Sequence, residues 1–333
     1  MNKRWLAAYA TFMFGLFCAF NAHADANLDA LIEAACNNNV SEVRKLIEAG
    51  ADVNAKRKDA LTALMGAAVH NAADAAKVLI EAGADVNANS YGHTALEGAV
   101  VGNALDVAKV LINAGADVNA KNNDGVTALI FTSGNNDLLD MSKVLIEAGA
   151  DVNAKSNKNI TALLMAVNSN HLDAAKLLIE AGADVNAKYN DGHTALMSAI
   201  NNNFLDMSKV LIEAGADVNA KMNNGGTALT YAAIDNIYDA AKLLIEAGAN
   251  VNSKNNNGFT ALMVAATKNS ANVAKLLIEA GADINATDNY GCTALLYATK
   301  YYNSVDVANL LRAAAEQKGK NSAKEKSSRK GKR

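Results

Sequence analysis

Apolar and polar positions along the chain follow a pattern that repeats about every 33 residues. Its fixed phrase is Leu79-Ile80-Glu81-Ala82-Gly83-Ala84-Asp85-Val86-Asn87-Ala88, with near copies beginning at Leu46, Leu111, Leu145, Leu178, Leu211, Leu244 and Leu277. A second phrase, Thr-Ala-Leu, begins at Thr62, Thr94, Thr127, Thr161, Thr194, Thr227, Thr260 and Thr293, each start 32 to 34 residues after the last. One copy shows the parts. Thr62 is placed to cap a helix by accepting from free first-turn amides. Leu64, Ala67 and Ala68 follow at helical spacing, and this short helix is predicted to stop at Asn71. A second helix is predicted from about Ala73 to Ala82, with Ala76, Leu79 and Ile80 on one face. Gly83 ends it in the left-handed conformation that other residues enter only with strain. Asp85-Val86-Asn87 then leads into an extended arm with Val86 tucked under as an anchor. A tight turn such as Tyr91-Gly92 or Asp124-Gly125 precedes the next threonine. One helix–turn–helix unit with a β-turn arm is therefore stacked many times, and the chain reads as an all-α solenoid.

Thr62-Ala63-Leu64-Met65-Gly66-Ala67-Ala68 and Gly83-Ala84-Asp85-Val86-Asn87-Ala88 resemble the ankyrin repeat, and the likeness covers about residues 27 to 315. Three departures recur. The family's Pro is Ala in every copy, and its His becomes Met65, Glu97, Ile130, Leu164, Met197, Thr230, Met263 or Leu296. Its inter-helix Gly becomes Asn71, Asn103, Asn170, Asn203, Asn236 or Asn269. Asparagine is the residue that best replaces glycine in a left-handed cap, so the geometry is expected to survive. About nine units are expected, caps included, across residues 25–316. Polar Glu42 and Lys45 suit a solvent-facing first unit. The fourth and ninth units carry one extra residue each, near Gly134–Asn136 and Tyr301–Asn303, read as a lengthened inter-helix turn.

Composition changes the picture at the two ends. Lys3 and Arg4, an apolar run from Trp5 to Phe20 and the small-residue site Ala22-His23-Ala24 read as a secretory signal over residues 1–24. The chain is therefore expected to be exported, periplasmic or secreted. From Lys318 to Arg333, eight basic side chains stand against Glu325, a net charge of +7. Removing that end and Lys3 and Arg4 from the formal −3 leaves an acidic body of −12. Residues 317–333 lack the apolar content to fold and read as a basic, disordered tail. Two readings of it stand side by side: a solvated end without function, or a contact for an anionic polymer, which salt would weaken. In a host cell, Arg329 to Arg333 also fits a nuclear-import sequence.

No catalytic constellation emerges, and no P-loop, G-x-S-x-G, H-E-x-x-H or C-x-x-C pattern is present. The carboxylates Asp85, Asp117 and Asp151 recur once per repeat, which fits an aspartate holding the arm's backbone. A non-enzymatic protein is expected, without cofactor, metal or small-molecule substrate. The resemblance implies a protein–protein interaction scaffold whose partner meets the arm tips and the ends of the first helices. Candidate binding residues on those places are Tyr91, His93, Phe259, Lys268, Tyr290, Cys292, Lys300 and Tyr301. Phe259, Tyr290 and Tyr301 are the expected anchors, because aromatics dominate interface hot spots. Tyr231 and Tyr297 fall where the family has an inward leucine. In the Asn-rich central units, variation at these places reads as drift on a solvated edge. The leading expectation is a periplasmic scaffold; the alternative is a secreted effector that captures a host protein.

Overall fold

A computed structural model describes residues 26–330, with side chains for residues 27–320. The secretory-signal reading of residues 1–24 lies outside the described residues. The chain divides into two compact bodies, one up to Asp184 and one from Val185. Both are stacks of antiparallel helix pairs. The only β-type pairings among the described residues are isolated bridges at three arm turns.

The first body holds five pairs: α1 (Ala26–Cys36) with α2 (Val40–Glu48), α3 (Ala63–Val69) with α4 (Ala73–Glu81), and α5 (Ala95–Val101) with α6 (Leu105–Asn113). It continues with α7 (Ala128–Ser133) and α8 (Leu139–Glu147), then α9 (Ala162–Asn168) and α10 (Leu172–Glu180). In the second body α11 (Ala195–Asn201) pairs with α12 (Leu205–Glu213), and α13 (Ala228–Ile234) with α14 (Tyr238–Glu246). Next come α15 (Ala261–Lys268) and α16 (Ala271–Glu279), then α17 (Ala294–Leu296) and α18 (Val305–Lys330). Within each body, first helices pack on first helices and second helices on second helices. The core is thin because it is built from alanine and leucine: Ala67, Ala76, Leu79, Ala108 and Leu111 are fully buried. In the arm, Val86 is only half-buried, and its neighbours Ala84 and Ala88 take the buried positions instead.

Each first helix starts as its sequence requires. Thr62 Oγ1 accepts from the Met65 amide at 3.2 Å, and Thr94, Thr127, Thr161, Thr194, Thr260 and Thr293 repeat the bond at 3.3 Å. Thr227 differs, its amide donating to Thr230 Oγ1 at 3.2 Å. The inter-helix asparagines take the left-handed backbone, Asn71 at φ 54° and Asn269 at φ 52°. They also do something glycine cannot. Second helices such as α4 and α16 have no side-chain cap of their own. The preceding unit supplies it: Asn38 Oδ1 accepts from the Ala75 amide at 2.8 Å, and Asn236 Oδ1 from the Val273 amide at 3.1 Å.

A second side-chain bond ties the arms together. Asn87 Nδ2 donates to the Gly115 carbonyl at 3.0 Å, while its Oδ1 accepts from the Asp117 amide at 2.8 Å. Asn219 does the same for Gly248 (3.2 Å) and Asn250 (2.8 Å). One side chain thus satisfies a carbonyl left open at a helix C-terminus and an amide in the next arm. The arm aspartates act within their own arm, Asp85 Oδ1 accepting from the Asn87 amide at 3.0 Å.

The two extra residues are accommodated in different ways. In the fourth unit a 3-10 turn, Asn136–Leu138, precedes α8. In the ninth unit the insertion lies inside the first helix, as a π-helical turn over Tyr297–Tyr301 that closes with the Tyr302 amide on the Tyr297 carbonyl at 3.1 Å. That corrects the expected longer inter-helix turn: Asn303 still holds its left-handed place at φ 49°, so the surplus residue is absorbed upstream as a bulge. Helix α18 runs on to Lys330, because Ala, Glu, Gln, Lys and Arg without proline favour helix.

Candidate functional site

The expected binding positions fall into two groups, one in each body. In the first body, Tyr91 and Gly92 form a tight hairpin at φ 49° and 90°, closed by Ser90 and His93 exchanging amide–carbonyl bonds of 2.8 Å. Tyr91 projects with 65% of its surface exposed. His93 is half-buried and occupied: its Nδ1 lies 2.9 Å from Glu97 Oε2, and Asn122 Nδ2 donates to Glu97 Oε1 at 3.2 Å. The Glu97 hydrogen bond raises the His93 pKa above the usual imidazole value, against the opposing effect of burial. His93 therefore belongs to the joint between the third and fourth units, and Tyr91 is the accessible member of the pair. Gly102, at the end of the same unit's first helix, cannot carry a side chain, because a β-carbon there would lie 2.1 Å from the Val69 carbonyl oxygen.

In the second body the eighth and ninth units bring aromatic rings together. The Phe259 ring lies 4.9 Å from that of Tyr297, which in turn lies 5.6 Å from Tyr301 and 6.3 Å from Tyr302. Lys300 Nζ sits 5.8 Å from the Tyr301 ring centre, within cation–π range. Tyr297 is half-buried and forms the hub. Its hydroxyl donates to Asp288 Oδ2, and Asp288 Oδ1 accepts from the amides of Tyr290 (2.9 Å) and Cys292 (2.8 Å). One carboxylate thus fixes the last arm turn and the hub ring together. Burial acts to raise the Asp288 pKa, but the Tyr297 hydroxyl, the two amides and the Lys254 charge outweigh it, so the net shift is downward. Burial and the Asp288 bond push the Tyr297 phenol well above its ordinary range.

Around this hub the expected residues separate by accessibility. Tyr290 is 84% exposed and Tyr301 54%, and Lys268 and Lys300 are exposed. Phe259, expected at the surface, is half-buried because Tyr297 packs against it; Cys292 is also half-buried. Tyr302, 55% exposed, joins the cluster without having been singled out from its position. The extra residue between Thr293 and Asn303 is the signal that pointed there, since the π-turn carries Tyr301 and Tyr302 round the helix. Tyr231 is half-buried, its ring 5.3 Å from His193 and its hydroxyl 3.2 Å from Met222 Sδ. Burial lowers the His193 pKa. Cys36 is half-buried, and burial pushes its thiol up to about 11, which leaves little nucleophilic thiolate at neutral pH.

The Asn-rich tips are not drifting positions. Asn157 Nδ2 donates to the Asn123 carbonyl at 3.0 Å in the first body. In the second, Asn223, Asn256 and Asn289 reach the Asn190, Asn223 and Asn256 carbonyls at 2.9–3.0 Å. These tips form a ladder between units, and their recurrence four residues before successive threonines was the sign of it. Among the described residues no group of three His, Cys, Asp or Glu side chains could hold a metal ion. No described helix is long and apolar enough to cross a membrane.

Compared with family models, the chain matches ankyrin repeats (3 copies) over residues 31–122, 115–189 and 185–255. It matches ankyrin repeats (many copies) over residues 244–298. Comparison with curated proteins returned no match.

Proposed function

This chain belongs to the ankyrin-repeat family, and we propose that it is a non-enzymatic scaffold resident in a bacterial periplasm that holds a protein partner. Ankyrin repeats mark a protein–protein interaction domain and are generally non-enzymatic. The partner surface is the ninth unit with the edge of the eighth, anchored by Tyr290 and Tyr301 over the Phe259–Tyr297 hub and flanked by Lys268 and Lys300. One observation carries this reading. Six large apolar or aromatic side chains are exposed among the described residues, and three of them, Tyr290, Tyr301 and Tyr302, lie on the ninth unit's arm and around the Tyr297 hub. Tyrosines on a backbone held by Asp288 bury large area at low entropic cost. The Lys300 and Lys268 charges favour an acidic rim on the partner.

Export rests on the Lys3–Ala24 pattern, and retention in the periplasm is the simplest destination for it. The secreted-effector alternative draws on the basic run Arg329 to Arg333. Cell fractionation separates them: signal in the periplasmic fraction supports the scaffold, and signal in the medium or in host nuclei supports the effector. The partner surface is tested by thiol crosslinking from Cys292, beside the cluster. A protein captured through Cys292 and lost with Tyr290→Ala supports it; capture indifferent to Tyr290 rejects it.

A further inference from the structure

The row of asparagines that tie one arm to the next ends at Asn285. Each earlier member, from Asn54 to Asn252, accepts an amide of the following arm at 2.7–2.8 Å. Asn285 makes no such bond among the described residues, because α18 runs on to Lys330 where a following arm would begin. Its side chain is exposed. The tip of the same arm is open too. A β-carbon on Gly258 would lie 2.8 Å from the Asn289 amide nitrogen, whereas one on Gly291 meets nothing within 4 Å.

The sequence changes at the same place. The earlier asparagines are followed by Ala-Lys, Ser-Lys or Ala-Asn, and Asn285 by Ala286-Thr287. Asn-x-Thr is the acceptor pattern for N-linked sugars, and the reaction requires it on an accessible surface loop. Backbone bonds hold this loop in shape: Asp283 Oδ1 accepts from the Asn285 amide at 3.0 Å, and the Thr287 carbonyl accepts from Lys254 Nζ at 2.7 Å. Thr287 is exposed, and neither its hydroxyl nor the Asn285 side chain is bonded among the described residues.

Two other places match the pattern, and the fold commits both. In Asn39-Val40-Ser41, Asn39 Oδ1 caps α2 through the Glu42 amide at 3.2 Å and also accepts from the Ser41 hydroxyl at 2.9 Å. In Asn159-Ile160-Thr161, Thr161 is buried and its hydroxyl caps α9 through the Leu164 amide at 3.3 Å.

We propose that Asn285 is an N-glycosylation acceptor, a reading that rests on the export argued above. The donor is an oligosaccharide linked through diphosphate to a membrane lipid, presented to an oligosaccharyltransferase on the exported side. The Asn285 amide nitrogen attacks C1 of the first sugar and an N–C bond forms. The C1–O bond to phosphate breaks, the lipid diphosphate leaves with the electron pair, and the amide gives one proton to the transferase. The sugar then stands where a further arm would be tied, and its bulk and polarity keep that place in water.

Mass spectrometry of the full chain purified from the cell envelope tests this, with N-terminal sequencing of the same sample. The expected result is an N-terminus processed after Ala24 and a glycan mass on the proteolytic fragment containing Asn285. Asn285→Gln and Thr287→Ala should lose that mass with unchanged helical circular dichroism, while Thr287→Ser and Asn39→Gln keep it. A processed chain with unmodified Asn285 overturns this proposal and leaves export standing. An unprocessed chain without sugar overturns both. A glycan that persists in Asn285→Gln places the acceptor elsewhere and overturns this assignment.

Discussion

Asn38 and Ala75 lie in neighbouring repeats, and the Asn38 side-chain oxygen accepts the Ala75 amide at 2.8 Å. The same asparagine holds the left-handed turn of its own unit at φ 53°. Two duties, one backbone and one side chain, therefore converge on one residue. Asn38→Gly keeps the turn and loses the cap, so it should cost about 0.5–2 kcal/mol. Asn38→Ala loses both and should cost more, by about 1 kcal/mol. Denaturant unfolding of the two variants separates the duties: equal losses would mean that the left-handed turn contributes nothing, and an unchanged Asn38→Gly would mean that the cap contributes nothing.

Turn glycines should differ although all share a positive φ. Gly258 has φ 82°, and a β-carbon there would collide with Asn289. Gly291, at φ 77°, faces open space. Gly291→Ala carries only backbone strain, about 1 kcal/mol. Gly258→Ala must also push the next tip away and should cost clearly more in chemical denaturation. If the two variants unfold alike, the ladder between tips is not rigid enough to matter.

His93 and His193 should respond to pH in opposite senses. Glu97 raises the folded pKa of His93, so its contribution is fully present below about pH 6.5 and is lost as pH rises through the folded value. Burial lowers that of His193, so its contribution is present above about pH 6.5 and is lost as pH falls through the folded value. Thermal melts at pH 5.5 and 8 check the signs. His93→Gln should lose more stability at pH 5.5, and His193→Gln more at pH 8. Both side chains are partly exposed, so each effect is small.

Tyr297→Phe removes the hydroxyl from Asp288 while keeping the ring that packs on Phe259. The Asp288 carboxyl should then titrate at higher pH, readable by NMR, while helical content stays the same. An unmoved Asp288 titration would show that the amides of Tyr290 and Cys292 alone hold its charge.

What was legible in the sequence depended on whether a residue's duty lies within its own repeat. Thr62 and Gly83 serve local backbone geometry, so their types and spacing announce the helix ends directly. Asn71 was legible by half: a left-handed turn is local, but a cap such as that from Asn38 to Ala75 depends on the neighbouring unit. Asn123 and Asn157 show the same limit, their value lying in a carbonyl one repeat away. The extra residue of the ninth unit was countable, yet only packing around Tyr297 decides that it becomes a π-turn and not a longer loop. At the candidate site, the exposure of Tyr290 and Tyr301 followed from their positions in the repeat. The half-burial of Phe259 did not, because it is set by Tyr297 from the next unit.

Quantitative pull-down with Phe259→Ala/Tyr301→Ala bears most directly on the partner surface, with Tyr91→Ala as the distant control. The scaffold reading predicts that the double variant keeps its helical circular dichroism and a cooperative melt but loses most of the partner that the wild type and Tyr91→Ala retain. Retention of the partner at wild-type level by the folded double variant would contradict it.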